Sequence, residues 1–268
     1  MHYRLDALQE RAGDLYLLGE PFTGVAYEVR GDRVVGCHQV SGGQRGGPPR
    51  GWDSARSRAM LSALTFVQPE ETDPQFPREG VYLGGTFFEG VGYAFDKGTG
   101  LLLKEQDFRT EPPAPCREWY PSGVLQADLD RWRPDGAWES ETYYEGGQTR
   151  TVESDKIGWG LSPEGDLRTL RLAPGYPKAD LQRVPLVVDS RLYLASAGVT
   201  DEILSRLDGL SRLGYLHLDG IGASPTGLEV FIACVDLEEL VTRNSAGCRD
   251  TDVRKLLAGL PSCQWTPR

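Results

Sequence analysis

The sequence predicts an α+β protein in which an N-terminal array of antiparallel β-hairpins precedes a short α/β solenoid segment. Three observations predict this class. A 13-residue stretch recurs in the first hundred residues, glycines then return at intervals of 23 and 24 residues, and short leucine-containing strand patterns return every 24 residues in the last third. Such periods are typical of arrays whose units pack on their neighbours. We divide the chain into a hairpin region, residues 1–175, and a solenoid segment, residues 176–268.

The recurring stretch covers residues 15–27 and 81–93. Its matching positions are Tyr16, Leu17, Gly19, Phe22, Gly24, Val25 and Tyr27, which return as Tyr82, Leu83, Gly85, Phe88, Gly90, Val91 and Tyr93. Turn-forming residues interrupt an apolar run in each copy, which predicts a β-hairpin. Gly31-Asp32 predicts a further turn and Arg33–Val40 a further strand.

The segments around these hairpins give weaker signals. Residues 1–13 are interpreted as a short helical lead-in that Gly13 ends. Residues 41–51 form a glycine-rich loop, and residues 68–79 form an acidic linker interrupted by prolines. Residues 53–66 fit either a short helix with Asp53 as N-cap or the last strand of the first unit, and the sequence leaves both open.

After the second copy, shorter hairpin patterns follow. In each, aromatic or apolar residues and two or three turn formers precede a glycine, and a strand pattern follows. The glycines are Gly100, Gly123, Gly147 and Gly165. Together with the Gly-x-Pro-Phe-Thr-Gly phrase at residues 19–24, these hairpins resemble bacterial MORN-repeat variants, in particular the YwqK-type antitoxin-like family.

The resemblance covers about residues 13–172 and implies a run of antiparallel hairpins that binds another protein. It implies no catalytic residue, because the glycines and aromatic residues of the motif are structural. The chain departs from the family in the loop at 41–51 and in the irregular spacing of its glycines.

The last third has a different pattern, and Pro174-Gly-Tyr-Pro177 marks its start. Leu192-Tyr-Leu194, Leu216-His-Leu218 and Leu240-Val-Thr242 are spaced by 24 residues, and Gln264-Trp265 stands where the next would begin. Helical patterns lie between them. They comprise Ile203, Leu204, Leu207 and Leu210 after Thr200, then Leu228, Phe231, Ile232 and Val235, then Val253, Leu256, Leu257 and Leu260. This order of strand, loop and helix over residues 185–268 resembles leucine-rich repeats.

Composition excludes several function classes. The formal charge is −10, from 29 Lys and Arg against 39 Asp and Glu, which disfavours nucleic acid and anionic membranes and suits a basic protein partner. The five cysteines show no metal-ligand or disulfide spacing. With no signal peptide pattern and no membrane-spanning stretch, we expect a cytoplasmic protein without a cofactor or metal.

The titratable residues do not form a recognisable catalytic set. Cys37 and His38 are adjacent in a strand and therefore point to opposite faces. The carboxylate pairs of the β-region, such as Glu139 and Glu141, are typical of a solvated strand face. Residues 220–227 resemble a dinucleotide loop only faintly, because their glycine spacing is wrong. The sequence therefore predicts a protein that is not an enzyme, although an enzyme with an unrecognised site remains an open alternative.

Aromatic side chains in an acidic region provide the candidate partner-binding residues. They are Trp52, Trp119, Trp132 and Trp138, joined by His217 on the outward face of a leucine-rich strand. Each also has a structural explanation, since hairpin aromatics pack across strands and a strand histidine faces solvent. We predict a non-catalytic immunity or antitoxin-like protein that blocks a basic toxin domain. The alternative is a scaffold or adaptor subunit that docks through its leucine-rich segment.

Overall fold

A computed structural model describes residues 1–50, 52–53, 55–67, 80–108, 115–132, 138–244 and 250–267. The protein is mostly β with short helices, which agrees with the α+β class. It has two compact units: residues 1–131 with 145–147 form unit 1, and residues 132–144 with 148–268 form unit 2. The boundary predicted after residue 175 differs from this division. The hairpin residues Val152 and Trp159 share one core with the leucine-rich segment.

Unit 1 consists almost entirely of short strands. They are β1 (His2–Arg4), β2 (Gln9–Arg11), β3 (Asp14–Leu17), β4 (Glu20–Pro21), β5 (Gly24–Arg30), β6 (Arg33–Ser41), β7 (Gln44–Arg45), β8 (Arg58–Met60), β9 (Leu64–Val67), β10 (Gly80–Leu83), β11 (Thr86–Phe87), β12 (Val91–Phe95), β13 (Leu102–Asp107), β14 (Cys116–Trp119) and β15 (Leu125–Trp132). Strands β2–β4 and β9–β11 form two small antiparallel sheets, and the others pair in a mixed sheet.

The same series of elements occurs twice in unit 1, as copy A (residues 1–41) and copy B (residues 57–107). Each copy begins with a strand and a 3₁₀ turn, at Leu5–Ala7 and Leu61–Ala63. A three-stranded sheet and a long antiparallel pair follow, β5–β6 in copy A and β12–β13 in copy B. The first strand of each copy pairs in parallel with the first long strand, β1 with β5 and β8 with β12.

The duplicated unit is therefore longer than the 13-residue stretch that the sequence shows. The helical lead-in predicted for residues 1–13 is wrong, because these residues form β1, a 3₁₀ turn and β2. Both alternatives for residues 53–66, a short helix and the last strand of the first unit, are wrong, because these residues contain β8, a 3₁₀ turn and the start of β9, with which copy B begins. Both errors have the same cause. A three-residue strand carries too short a pattern to reveal a period.

A close backbone approach explains why Gly24 and Gly90 recur. The amide of Val25 donates to the carbonyl oxygen of Met1 at 2.9 Å, and the amide of Val91 donates to that of Ser57 at 3.1 Å. A Cβ on Gly24 would lie 2.3 Å from the Met1 oxygen, and one on Gly90 would lie 2.4 Å from the Ser57 oxygen. Only glycine permits the parallel strand to pair at this distance.

The later glycines end the tight turns that the sequence predicts. Gly100, Gly123, Gly147 and Gly165 have φ of +73°, +81°, +85° and +94°, in the region that glycine adopts at little cost. At Gly123 the amide donates to the carbonyl oxygen of Tyr120 at 2.8 Å. The strand register shifts beside each turn, as in a hairpin with a β-bulge.

Unit 2 continues with antiparallel hairpins and ends in parallel strands. Its strands are β16 (Trp138–Tyr143), β17 (Thr149–Ser154), β18 (Ile157–Leu161), β19 (Leu167–Leu172), β20 (Val188–Ala195), β21 (Tyr215–Asp219), β22 (Glu239–Arg243) and β23 (Gln264–Pro267), and its α-helices are α1 (Lys178–Leu181), α2 (Asp201–Leu204) and α3 (Asp250–Ala258). Strands β16 to β19 are antiparallel, and β19 to β23 are parallel.

The 24-residue spacing of the leucines appears directly in the strand register. Leu192 pairs with Leu216, which pairs with Leu240, and Trp265 takes the next position. The three leucines are at most 1% exposed. Burying a side chain of this size stabilises the fold by about 1.5–3 kcal/mol, so these positions hold the parallel strands together.

The connecting helices are shorter than the sequence predicts. The helix after Thr200 ends at Leu204, and residues 227–233 form a 3₁₀ helix. Val235 lies beyond that helix and is 73% exposed, so its assignment to the apolar helix face is wrong. Leucines at helical spacing also fit short turns that pack on a sheet, which is why the pattern overestimated the helices.

Candidate binding sites

One face of the unit 2 sheet carries the buried leucine rows, and the opposite face carries polar and aromatic side chains. We call this second face the open face. Its exposed or half-buried residues are Thr142, Thr151, Thr169, Arg171, Arg191, Tyr193, Tyr215, His217, Asp219, Glu239 and Arg243. Val241, which pairs with His217, lies on the same side but is buried. Strand alternation and the in-register pairing put them on one side. The open face is therefore a broad surface of mixed charge.

The centre of the open face is organised by Tyr193. Its hydroxyl donates to Asp219 Oδ2 at 3.1 Å, and its ring contacts the ring of His217 edge-on at 4.5 Å. Burial and the bond to Asp219 raise the pKa of Tyr193 above its ordinary value. These contacts fix the ring on the sheet, so it is a rigid aromatic group that loses little entropy when it binds.

A trough of about 610 Å³ crosses the open face beside Tyr193. Its floor includes Gly158 on β18, and Glu153, Arg171 and Asp219 stand around it. A Cβ on Gly158 would lie 2.2 Å from a carboxylate oxygen of Glu153, so glycine lets that side chain fold across the strand. Arg171 Nη2 donates to Glu153 Oε2 at 3.2 Å, which completes a charged wall.

Unit 1 contains a separate cavity of about 270 Å³. Aromatic rings from both copies and from the segments beside them line it: Tyr27, Trp52, Tyr93 and Trp119. The rings of Tyr27 and Tyr93, which are equivalent residues of copies A and B, lie 5.4 Å apart. The cavity is thus built around the internal duplication.

Equivalent positions of the two copies carry different chemistry in this cavity. Strand pairing sets Cys37 opposite Tyr27 in copy A and Glu105 opposite Tyr93 in copy B. The parallel strands add a further equivalent pair at their first residues. His2 Nδ1 lies 3.1 Å from the hydroxyl of Tyr27, and Arg58, its counterpart in copy B, lies beside Tyr93, where its charge opposes the rise that burial causes in the pKa of the Tyr93 hydroxyl. Copy A therefore contributes a neutral set and copy B a charged one.

Burial keeps the copy A groups neutral. It lowers the pKa of His2 to about 4 and raises that of Cys37 to about 12. It also raises the pKa of the Tyr27 hydroxyl far above its ordinary range. A protonated thiol is a weak nucleophile, so the Cys37 side chain is suited to packing and not to covalent catalysis.

Arg58 is the most deeply buried charge in the cavity, with 6% of its surface exposed. Its Nη1 donates to the carbonyl oxygens of Asp53 at 2.6 Å and Arg56 at 2.8 Å. The guanidinium lies 3.6 Å from the ring centre of Trp52. Its Nε is buried and has no hydrogen-bond partner among the described residues.

The cavity is cationic although the chain as a whole is acidic. Its described lining residues include Arg50, Arg56, Arg58 and Arg117 against one carboxylate, Glu105. Burial raises the pKa of Glu105 above its ordinary value. The neighbouring acids neutralise some arginines: Arg56 pairs with Asp107 at 2.5 Å and Arg117 with Asp128 at 3.4 Å. Nη2 of Arg56 forms its ion pair without hydrogen-bond geometry.

Two of the predicted binding residues lie in the unit 1 cavity, and two lie on the open face of unit 2. Trp52 is half-buried beneath Arg58, and Trp119 is 9% exposed, so both line the unit 1 cavity and are largely enclosed. Trp138 is half-buried, and strand alternation puts it on the side of Thr142, on the open face. His217 also lies on the open face. The side chain of Trp132 lies outside the described residues.

Sequence reasoning missed His2, Arg58 and Glu105, and it considered Cys37 only as a partner of His38. These residues are far apart in the chain, and strand pairing alone brings them together. A weak signal existed, because Leu5, Ala7 and Leu8 recur as Leu61, Ala63 and Leu64 and extend the duplication to both first strands.

No protein-family model, curated protein or solved structure matches the chain. Among the residues that the structure describes, no group of three or more His, Cys, Asp or Glu side chains is arranged to hold a metal ion. The four cysteines in those ranges, Cys37, Cys116, Cys234 and Cys263, are free thiols. No helix within the described ranges is long and apolar enough to cross a bilayer.

Proposed function

We propose that this chain is a non-catalytic protein-binding repeat protein that holds its partner on the open face of unit 2. The observation that carries the proposal is the sheet itself. Its leucine rows are buried on one side, and polar and aromatic side chains cover the other side in register. Interfaces between proteins favour such a surface, with fixed aromatic residues surrounded by polar groups.

We propose that the partner is a basic protein, in an immunity or antitoxin-like role in which the chain blocks a basic toxin domain. The net charge of −10 supports this role, because opposite charges accelerate encounter and disfavour wrong partners. The resemblance of the hairpins to MORN-repeat variants of the antitoxin-like type supports it as well. Binding by surface complementarity requires no catalytic residue.

A second candidate is a scaffold that docks through the leucine-rich strands alone. It is favoured by the position of Tyr215 and Glu239, which lie on adjacent parallel strands and away from the hairpins. The two candidates place the essential contacts differently. Blocking a toxin across the whole open face requires Trp138 on β16, whereas docking on the leucine-rich strands does not.

The test uses the full chain and the purified product of the adjacent open reading frame. We expect a one-to-one complex and loss of toxicity when both are expressed together. Tyr193→Ala and Trp138→Ala should each weaken binding about tenfold or more. Val235→Ser is the matched control, because Val235 is 73% exposed and belongs to the connection between the 3₁₀ helix and β22.

The outcomes separate the candidates. If Tyr215→Ala abolishes binding, Trp138→Ala has no effect and the partner is not toxic, the scaffold is favoured. If no complex forms, or if Val235→Ser weakens it as much as Tyr193→Ala does, the open face is not the binding surface.

A further inference from the structure

The cavity of unit 1 shares no described lining residue with the open face of unit 2 and has its own chemistry. A buried cation is costly unless an anion or strong hydrogen bonds compensate it. Arg58 is 6% exposed and forms no ion pair with any described carboxylate. Backbone carbonyls, the Tyr93 hydroxyl and the Trp52 ring contact it, and none of these removes its charge.

The carboxylates near Arg58 pair with other arginines. Asp107 lies 2.5 Å from Arg56, and Asp128 and Glu105 lie 3.4 Å and 3.9 Å from Arg117. The buried guanidinium of Arg58 is therefore left without a carboxylate partner among the described residues. The imidazole of His2 is neutral at ordinary pH. An entering anion would therefore meet an excess of positive charge in a partly dehydrated space, where such attraction is strongest.

The other walls indicate what the anion is attached to. Four aromatic rings surround the space, and the Tyr27 and Tyr93 rings meet at 5.4 Å. A volume of about 270 Å³ is slightly below the range of pockets that hold drug-sized molecules. The space therefore suits one or two flat rings with a single charged group.

We propose that the unit 1 cavity binds a small aromatic oxyanion, with its carboxylate or phosphate between Arg58 and Arg117 and its ring among Tyr27, Tyr93, Trp52 and Trp119. Both carboxylate and phosphate can accept two parallel hydrogen bonds from a planar guanidinium group. The site is independent of the protein-binding surface proposed for unit 2.

The test is calorimetric titration of the full chain with benzoate, indole-3-acetate and phenyl phosphate, which separate carboxylate from phosphate. Acetate and inorganic phosphate lack the ring, and benzamide lacks the charge. We expect one-to-one binding of at least one aromatic anion and at least tenfold weaker binding of the three controls. Quenching of tryptophan fluorescence should accompany binding and diminish in Trp52→Phe.

Two variants tie the binding to the cavity. Arg58→Gln and Arg117→Ala should each weaken it about tenfold or more, while Arg168→Gln, an exposed residue of unit 2, should leave it unchanged. Arg117 is half-exposed, so its variant should fold even if Arg58→Gln does not. The proposal is overturned if no aromatic anion binds up to about 10 mM, if ring-free anions bind equally well, or if Arg117→Ala binds unchanged.

Discussion

In copy A, Tyr27 is flanked by His2 and Cys37, whereas in copy B its counterpart Tyr93 is flanked by Arg58 and Glu105. The strands, the 3₁₀ turn and the close glycine approach are the same in both copies. At the cavity, the copies differ in the side chain from the first strand and in the residue opposite the tyrosine. This comparison shows that the backbone pairing does not depend on the charge of the cavity groups, so the two can be tested separately.

The largest loss of stability should come from substitutions that disturb the close backbone approach found in both copies. In Gly24→Ala and Gly90→Ala the new Cβ would meet a backbone carbonyl oxygen at 2.3 Å and 2.4 Å, and backbone cannot move aside as a side-chain end can. We expect each to lower the free energy of unfolding by about 3 kcal/mol or more in urea denaturation. Gly47→Ala, with nothing within 4 Å, is the control. A loss in one copy alone would mean that the two close approaches are not equivalent.

The next largest loss of stability should differ between the two copies. Tyr93→Phe removes a hydroxyl group beside a buried guanidinium and should cost about 2 kcal/mol, because polar interactions with charged groups are the stronger ones. Tyr27→Phe removes the hydroxyl that lies 3.1 Å from a neutral imidazole and should cost about 1 kcal/mol or less. Equal losses in thermal or urea unfolding would contradict the assignment of charge to copy B.

Copy A should lose stability as the pH falls, and His2 is the residue responsible. Because burial lowers the pKa of His2 from 6.5 to about 4, the unfolded chain takes up its proton first as the pH falls. The stability from neutral His2 is complete above about pH 6.5 and is lost progressively down to about pH 4. The guanidinium of Arg58 keeps its proton throughout.

The measurement is urea unfolding of wild type and His2→Gln at several pH values across this window. The variant should lose stability less steeply than the wild type as the pH falls. If both lose stability with the same slope, His2 is not buried as a neutral group.

The smallest change in stability should come from an exposed ion pair that belongs to copy A. Arg30 of copy A pairs with Glu28 at 2.6 Å, and its side chain is 75% exposed. Exposed ion pairs contribute little, so Arg30→Gln should change the free energy of unfolding by less than about 0.5 kcal/mol. A loss as large as that of Tyr93→Phe would show that this hairpin end is less solvated than the structure indicates.

Local patterns in the sequence were sufficient for the parts of the fold that repeat at short range. The 24-residue spacing of the leucines predicts the pairing of Leu192, Leu216 and Leu240. Each repeat of strand and connection is 24 residues long, so equivalent leucines lie side by side on neighbouring parallel strands. Gly123 and its equivalents mark turns because their positive φ favours glycine. These features are encoded within a few residues and can be predicted without a structure.

The cavity could not be predicted because its groups meet only through pairing between distant strands. His2 reaches Tyr27 through the parallel pair β1–β5, and a three-residue strand such as β1 has no detectable period. The tryptophans were predicted as surface contacts because the sequence does not give their burial. Trp119, at 9% exposure, belongs to the cavity wall.

The pairing of Tyr27 with Tyr93 also has a consequence for how such a protein can diverge. In a homodimer, a substitution at a site shared by the two subunits occurs in both of them, so a new charge always faces an identical charge. When both halves lie in one polypeptide, each can mutate alone. One half can then stay uncharged while the other carries charge, as the equivalent positions of His2 and Arg58 do.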